Sequence, residues 1–212
     1  MNIVLFGARG SIGSAIAAEA ISRGHSVTGV VRKDADAPAA ERLRLVAGNA
    51  LDSASVAAVV RGADAMVSAT APRPEDGSTA LNDAARALIR GLATAGVKRL
   101  IIVGGAGSLY VAPGLQLVDA PAFPAAYKAV AVAHNAMLQV IKAEAGALDW
   151  TYFSPAAMIA PGPRTGVFRL GTDQFLADAA GNSAISIADY AVALVDELEK
   201  GANKRRQMTA AY

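Results

Sequence analysis

Apolar and polar positions along this chain follow two alternating periods. Asn2-Ile-Val-Leu-Phe6 is a short continuous apolar run with β-branched members, closed by Gly7, and reads as a buried strand. Ile12, Ile16 and Ala20 then recur every four residues with Ala15 beside them, the stripe of an amphipathic helix that Arg23-Gly24 stops. Ser26-Val-Thr-Gly-Val-Val31 returns to a strand pattern. The same reading predicts strands at Leu43 to Ala47, Asp64 to Thr70, Leu100 to Val103 and Asp149 to Phe153, with short ones at Val167 to Leu170 and Gln207 to Thr209. It predicts helices after Asp52-Ser53, at Asn82 to Thr94 and at Phe123 to Ala145. A last helix follows the start signal Ser186-Ile-Ala-Asp189, with Ala191, Leu194, Val195 and Leu198 on its buried face. The residues of the loops at Ala35 to Ala40 and Ala71 to Ser78 include proline or glycine.

Regular alternation of strand and helix implies parallel strands joined by right-handed crossovers. The expected class is α/β, a Rossmann-type doubly wound parallel sheet, with residues 1–212 forming one dinucleotide-binding domain. Residues 155–186 and 203–212 are expected to contribute a small C-terminal lobe on the substrate side.

The first strand, the glycine turn Gly7-Ala-Arg-Gly-Ser-Ile-Gly13, the helix and the second strand carry the clearest chemistry. A diphosphate approaching such a turn meets unpaired helical N–H groups and the positive end of the helix dipole. Gly7 supplies a turn geometry that other residues resist, Gly10 keeps a side chain out of the phosphate's space, and Gly13 lets helix and strand approach. Gly7, Ala8, Arg9, Gly10, Ser11, Ile12 and Gly13 are therefore the candidate cofactor loop. The second strand ends in Val31-Arg32-Lys33, where an NAD-selective protein usually carries an acid. Arg32 and Lys33 instead suit a 2′-phosphate, which favours NADP(H) over NAD(H), although Asp34 points the other way. Strand ends of an open parallel sheet carry the ligand. That rule adds Ser68, Ala69 and Thr70, and Gly104, Gly105 and Ala106 after the fifth strand. Ser108 is the polar candidate for a catalytic role nearest the nicotinamide, and fits a turn-capping serine equally well.

Composition narrows the remaining classes. With 53% hydrophobic and 18% charged residues among 212, the chain can bury a sizeable core. Zero cysteines exclude disulfides and thiolate chemistry, and with His25 and His134 as its two histidines no metal site is expected. Met1 leads straight into the first strand, and no apolar run reaches the ~18 residues that span a bilayer, so a cytoplasmic protein without a membrane partner is expected. The net charge is +2 and basic residues are scattered apart from Lys204-Arg-Arg206, which argues against a nucleic-acid partner.

Several longer motifs resemble one family. They are Val103-Gly-Gly-Ala-Gly-Ser-Leu109, Ala112-Pro-Gly114, Asp119-Ala-Pro-Ala-Phe-Pro124 with Tyr127-Lys128, and Asp149-Trp-Thr-Tyr-Phe-Ser-Pro155. Pro161-Gly-Pro-Arg-Thr-Gly166, Arg169-Leu-Gly171 and Ile185-Ser-Ile-Ala-Asp-Tyr-Ala191 continue the pattern over essentially the whole chain. Together they resemble the NAD(P)H-binding NADH-flavin reductase group of atypical short-chain dehydrogenase/reductases, related to NmrA-like proteins and biliverdin reductase B. The Gly-x-x-Gly-x-x-Gly spacing is similar to that of the same superfamily.

The resemblance implies that Ser154, Pro155, Ala156 and Ile159 cover the nicotinamide through backbone and apolar contacts. It also implies that Asn49, with Ala50 beside it, stands where relatives often carry an adenine-binding aspartate. Carbonyl-reducing members use a Tyr-x-x-x-Lys pair, whereas Tyr127 here is followed four residues on by Ala131, and Lys128 is adjacent. Neighbouring residues on a helix do not face one another, so that pair cannot form. Flavin reduction needs chiefly that two flat rings be held face to face, with ring nitrogens protonated from water. The expected activity is NADPH-dependent hydride transfer to a flat acceptor, a flavin or quinone-like molecule, by a monomer or homodimer. The alternative is a non-catalytic NADP(H) sensor of NmrA-like type. Tyr110, Phe123 and Phe168 fit stacking on a flavin and a place in the core equally, while His134, Asp189 and Glu197 read as structural.

Overall fold

A computed structural model of the protein describes residues 1–32, 41–70 and 79–212. The chain forms β1 (Asn2–Phe6), α1 (Ser11–Ser22), β2 (Ser26–Val31), β3 (Leu43–Ala47), α2 (Ser53–Val60), β4 (Ala65–Ser68), α3 (Ala80–Ala95) and β5 (Arg99–Val103) in the order predicted by its apolar pattern. A hairpin of β6 (Tyr110–Ala112) and β7 (Leu115–Gln116) precedes α4 (Ala125–Glu144) and β8 (Asp149–Ser154). Then come β9 (Met158–Ala160), β10 (Arg169–Gly171), β11 (Ala184–Ser186), α5 (Ile187–Lys200) and β12 (Arg206–Ala211).

The main sheet has eight strands in the order β3-β2-β1-β4-β5-β8-β12-β10. Its pairings are parallel except the last, where β10 runs antiparallel to β12. Both faces are covered, so the inner strands are apolar without alternation. Ile3 and Leu5 of β1 join the core made with α1 and α5, while Val4 and Phe6 join the one made with α2, α3 and α4. α2 begins where Asp52 caps it, accepting from the Ala54 amide at 2.9 Å.

Two differences from the sequence expectation matter for the site. The lobe was expected to include residues 203–212, but Arg206–Ala211 is an interior strand of the main sheet, with Gln207 to Ala211 buried. Successive residues from Gln207 to Ala211 are at most 5% exposed, so both faces of this strand are covered, as in the sheet interior and not in a solvated lobe. Two short pairings stand apart from the main sheet, β9 with β11 and the β6–β7 hairpin in the segment after β5. These strands have only two or three residues, too few to show a period. Lys33, Asp34 and the loops expected at Ala35 to Ala40 and Ala71 to Ser78 lie outside the described residues.

Candidate functional site

Parallel register sets the exits of β1, β2, β4, β5 and β8 along one edge of the sheet. Phe6 pairs with Val30 and Ser68, Ser68 with Ile102, and Val103 with Phe153. The Gly7–Gly13 turn stands over the middle of that edge. Gly7 has φ +82°, and a Cβ there would lie 2.4 Å from the Ala69 carbonyl oxygen. A Cβ on Gly13 would lie 2.1 Å from the Gly7 carbonyl oxygen, so only glycine lets α1 come this close to the turn. Gly10 heads α1 with extended backbone, no side chain among the described residues caps the helix, and its first turn carries no acid. Gly10 and Ser11 are exposed. The positive end of α1 therefore opens to solvent with backbone N–H groups, a terminus whose charge suits an anion such as a diphosphate.

The other predicted residues distribute around this turn. Arg32 is exposed immediately after β2, the strand beside β1. Asn49 is exposed after β3, where its Oδ1 accepts from the Leu51 amide at 3.0 Å and its own amide donates to Ser55 Oγ at 3.0 Å. Ala50 is half-buried against the α2 side of the core. Ser68 is buried at the end of β4 with its hydroxyl 3.1 Å from that of Thr70. Gly104, Gly105 and Ala106 leave β5, and Ser154, Pro155 and Ala156 leave β8 as buried residues, with Ile159 half-buried on β9.

At the β5 and β8 exits the structure supplies a group that sequence reasoning missed. Gln207 of β12 donates from Nε2 to Ser108 Oγ at 2.8 Å and to Ser154 Oγ at 2.9 Å. Ser108 donates in turn to the Gly105 carbonyl at 3.2 Å and is fully buried. Ser108, whose place suits a catalytic and a turn-capping role alike, has its hydroxyl within the joint that ties two strand exits together. The signal in the sequence was a glutamine beside the apolar Met208, Ala210 and Ala211 of the terminal strand, which, once buried, is an amide in need of partners.

Tyr127 and Lys128 are placed as their spacing requires, apart. Tyr127 is 63% exposed. Lys128 turns away, donating to the Val118 carbonyl and standing 3.4 Å from Asp119 Oδ1 and 5.8 Å from the Phe123 ring centroid. It fastens the segment before α4. Phe168 packs against the α1–α5 core, and Tyr110 is held through backbone hydrogen bonds to Asp173 and Phe175.

Residues 161–167 are anchored by charge. Arg164 holds Glu19 of α1 through two contacts of 2.8 and 2.9 Å. The fully buried Asp189 accepts from the amides of Thr165 and Gly166 at 2.8 Å each, from the Thr165 hydroxyl at 2.5 Å and from Tyr212 Oη at 2.9 Å. Burial alone would raise its pKa, but those hydrogen bonds outweigh it and hold the carboxyl below its ordinary range. Two cavities of about 600 and 450 Å³ lie at the opposite edge of the sheet, and neither touches the glycine turn.

Comparison with known proteins agrees with this geometry. The family described as NAD(P)H-binding matches residues 7–198. A Burkholderia pseudomallei protein of solved structure, provisionally named as exported, is 48% identical, with all of both chains covered and a TM-score of 0.92. A Bacteroides thetaiotaomicron protein provisionally named an epimerase is 39% identical over all of this chain and 96% of its own, at a TM-score of 0.91. A Streptococcus pneumoniae TIGR4 protein provisionally named an NADH-flavin reductase is 31% identical over all of this chain and 99% of its own, at 0.88.

Proposed function

The chain belongs to the NAD(P)H-binding family, and from that membership we propose an NADPH-dependent oxidoreductase that passes hydride to a flavin or similarly flat acceptor. The observation that carries this reading is the uncapped, acid-free N-terminus of α1 above the Gly7–Gly13 turn. The first-turn amides of α1 would hold the diphosphate, Arg32 would read the 2′-phosphate, and the residues at the exits of β5 and β8 would hold the nicotinamide end of a cofactor that supplies the hydride when bound. The residues from Gly104 to Ala106 and from Ser154 to Ala156, with Ile159, shape the floor beneath it.

The acceptor follows from what the side chains near those exits can do. Tyr127 is exposed and Lys128 is bound to Val118, so they supply no paired acid and base. Hydride transfer to a flavin needs none, because positioning provides most of the rate and water protonates the product. The S. pneumoniae relative's name agrees. An epimerase, as the B. thetaiotaomicron relative is named, would require that pair. A sensor that binds NADP(H) without turnover is the second reading, favoured by the burial of Ser108.

No described helix is long and apolar enough to cross a membrane. We place the protein in the cytoplasm, as one domain of 212 residues acting as a monomer or homodimer. The name of the B. pseudomallei relative points instead to export, and cell fractionation decides between them. The functional test is NADPH oxidation by purified protein with and without FMN, with NADH in parallel. Flavin-dependent turnover faster with NADPH is expected; NADPH binding without turnover on flavins or quinones would replace the reductase with the sensor.

A further inference from the structure

His134 is a second group near the β5 exit to which no role has so far fallen. It lies in the middle of α4, on the side that meets Gly105: a Cβ on Gly105 would come within 3.1 Å of His134 Cβ, 3.2 Å of Cγ and 3.4 Å of Cδ2. One turn earlier on the same face, Ala131 packs against Gly107. The absence of side chains at Gly105 and Gly107 is what lets α4 reach this exit. Tyr152 holds the helix turn in place, donating to the His134 carbonyl at 2.9 Å while its ring fills the space that a Cβ on Gly104 would need.

The two imidazole nitrogens have different surroundings. Among the described residues Nδ1 is buried and has no hydrogen-bond partner, whereas Nε2, equally without a partner there, is not a buried atom and the residue as a whole is half-buried. A proton on Nδ1 would leave a buried donor unsatisfied, costing about 1–3 kcal/mol. The proton therefore belongs on Nε2. Protonating both nitrogens would bury the same orphan donor together with a charge, and burial accordingly lowers the His134 pKa to about 4. At neutral pH the ring is an uncharged donor that neither gains nor loses a proton.

Resting on the reading of the β5 exit as the nicotinamide end, we propose that His134 Nε2–H donates a hydrogen bond to a carbonyl oxygen of the ligand bound beside Gly104 and Gly105. Two carbonyls can occupy that place, the carboxamide of the cofactor and a ring carbonyl of the acceptor. A neutral imidazole polarises either without taking part in proton transfer.

With His25 the only other histidine, both imidazoles can be assigned by nitrogen-15 NMR using His25→Gln. The parent should show the Nε2–H tautomer for His134 at pH 7. Its resonances should shift on adding NADP+ if the carboxamide is the partner, or only on further addition of FMN if the acceptor is. His134→Leu should weaken NADP+ binding roughly tenfold in the first case and lower FMN turnover by a similar factor in the second, with His134→Gln restoring most of either loss through its amide donor. A Nδ1–H tautomer, resonances unmoved by both ligands, or a Leu variant equal to the parent in binding and turnover would overturn the assignment. Absence of FMN turnover in the parent would count against the reductase alone, because the NADP+ titration still reports on His134.

Discussion

Gly10 and Gly13 stand three residues apart in the same turn, and the structure separates their roles. Gly10 has φ −74° and ψ 161°, angles open to any residue, and among the described residues a Cβ there would meet only the Gly7 carbonyl oxygen, at 3.3 Å. Gly10→Val should therefore fold, at a cost of about 1 kcal/mol or less for a poorer helix cap. Its isopropyl group would nevertheless stand over the first-turn amides of α1, where the diphosphate must come close. Losing even one charge-assisted hydrogen bond is worth about 1.5–3 kcal/mol, so NADP+ binding should weaken by about 10- to 150-fold. Gly13→Ala acts in the opposite sense. Its methyl would sit 2.1 Å from the Gly7 carbonyl oxygen and 2.8 Å from the Gly7 carbonyl carbon, both backbone atoms that cannot turn aside. The turn and α1 must separate, at the ~1–3 kcal/mol of an overpacked contact, which lowers Tm by roughly 2–4 °C per kcal/mol in a chain of this size. Thermal melts without ligand and calorimetric titration with NADP+ measure the two quantities independently. A Gly10→Val protein with parental affinity would refute the diphosphate site, and a Gly13→Ala protein with the parental Tm would refute the packing argument.

Arg32→Asp should weaken NADPH far more than NADH; equal losses in a paired titration would mean that Arg32 does not read the 2′-phosphate. Glu197→Ala should destabilise by about 3–5 kcal/mol in urea, because Arg99 would keep its buried charge without the carboxylate now 2.7 Å away. Its NADP+ affinity in the folded state should be unchanged, since the pair lies at the other end of β5. Asp189 has a depressed native pKa, so its stabilisation is present above the ordinary carboxylate range and is lost as pH falls through the native value. Asp189→Asn should thus lower the urea midpoint at pH 7 and reduce its fall on acidification to pH 3; a midpoint curve parallel to the parent's would contradict the role given to the carboxylate.

Much of this architecture could be read along the chain because it is set by local physics. The apolar run from Ile3 to Phe6, the stripe of Ile12, Ile16 and Ala20, and the glycines between them specify strand, turn and helix within one crossover. Asp52 and Ser186 mark helix starts by hydrogen bonds two and three residues away, so they too were legible. Tyr127 and Lys128 declared their separation by spacing alone. Tertiary structure alone decided contacts between distant segments. Gln207 meets Ser108 and Ser154 across 99 and 53 residues because β12 inserts beside β8. That insertion also drew residues 206–211 out of the expected lobe and into the sheet. Asp189 fastens Thr165 and Gly166 from 24 and 23 residues away, and His134 comes to Gly105 only because two glycines admit α4. Local patterns reflect short-range sterics and hydrogen bonding and repeat with each turn or pleat. The partner of a buried polar side chain is chosen by which elements pack together, and no period along the chain records it.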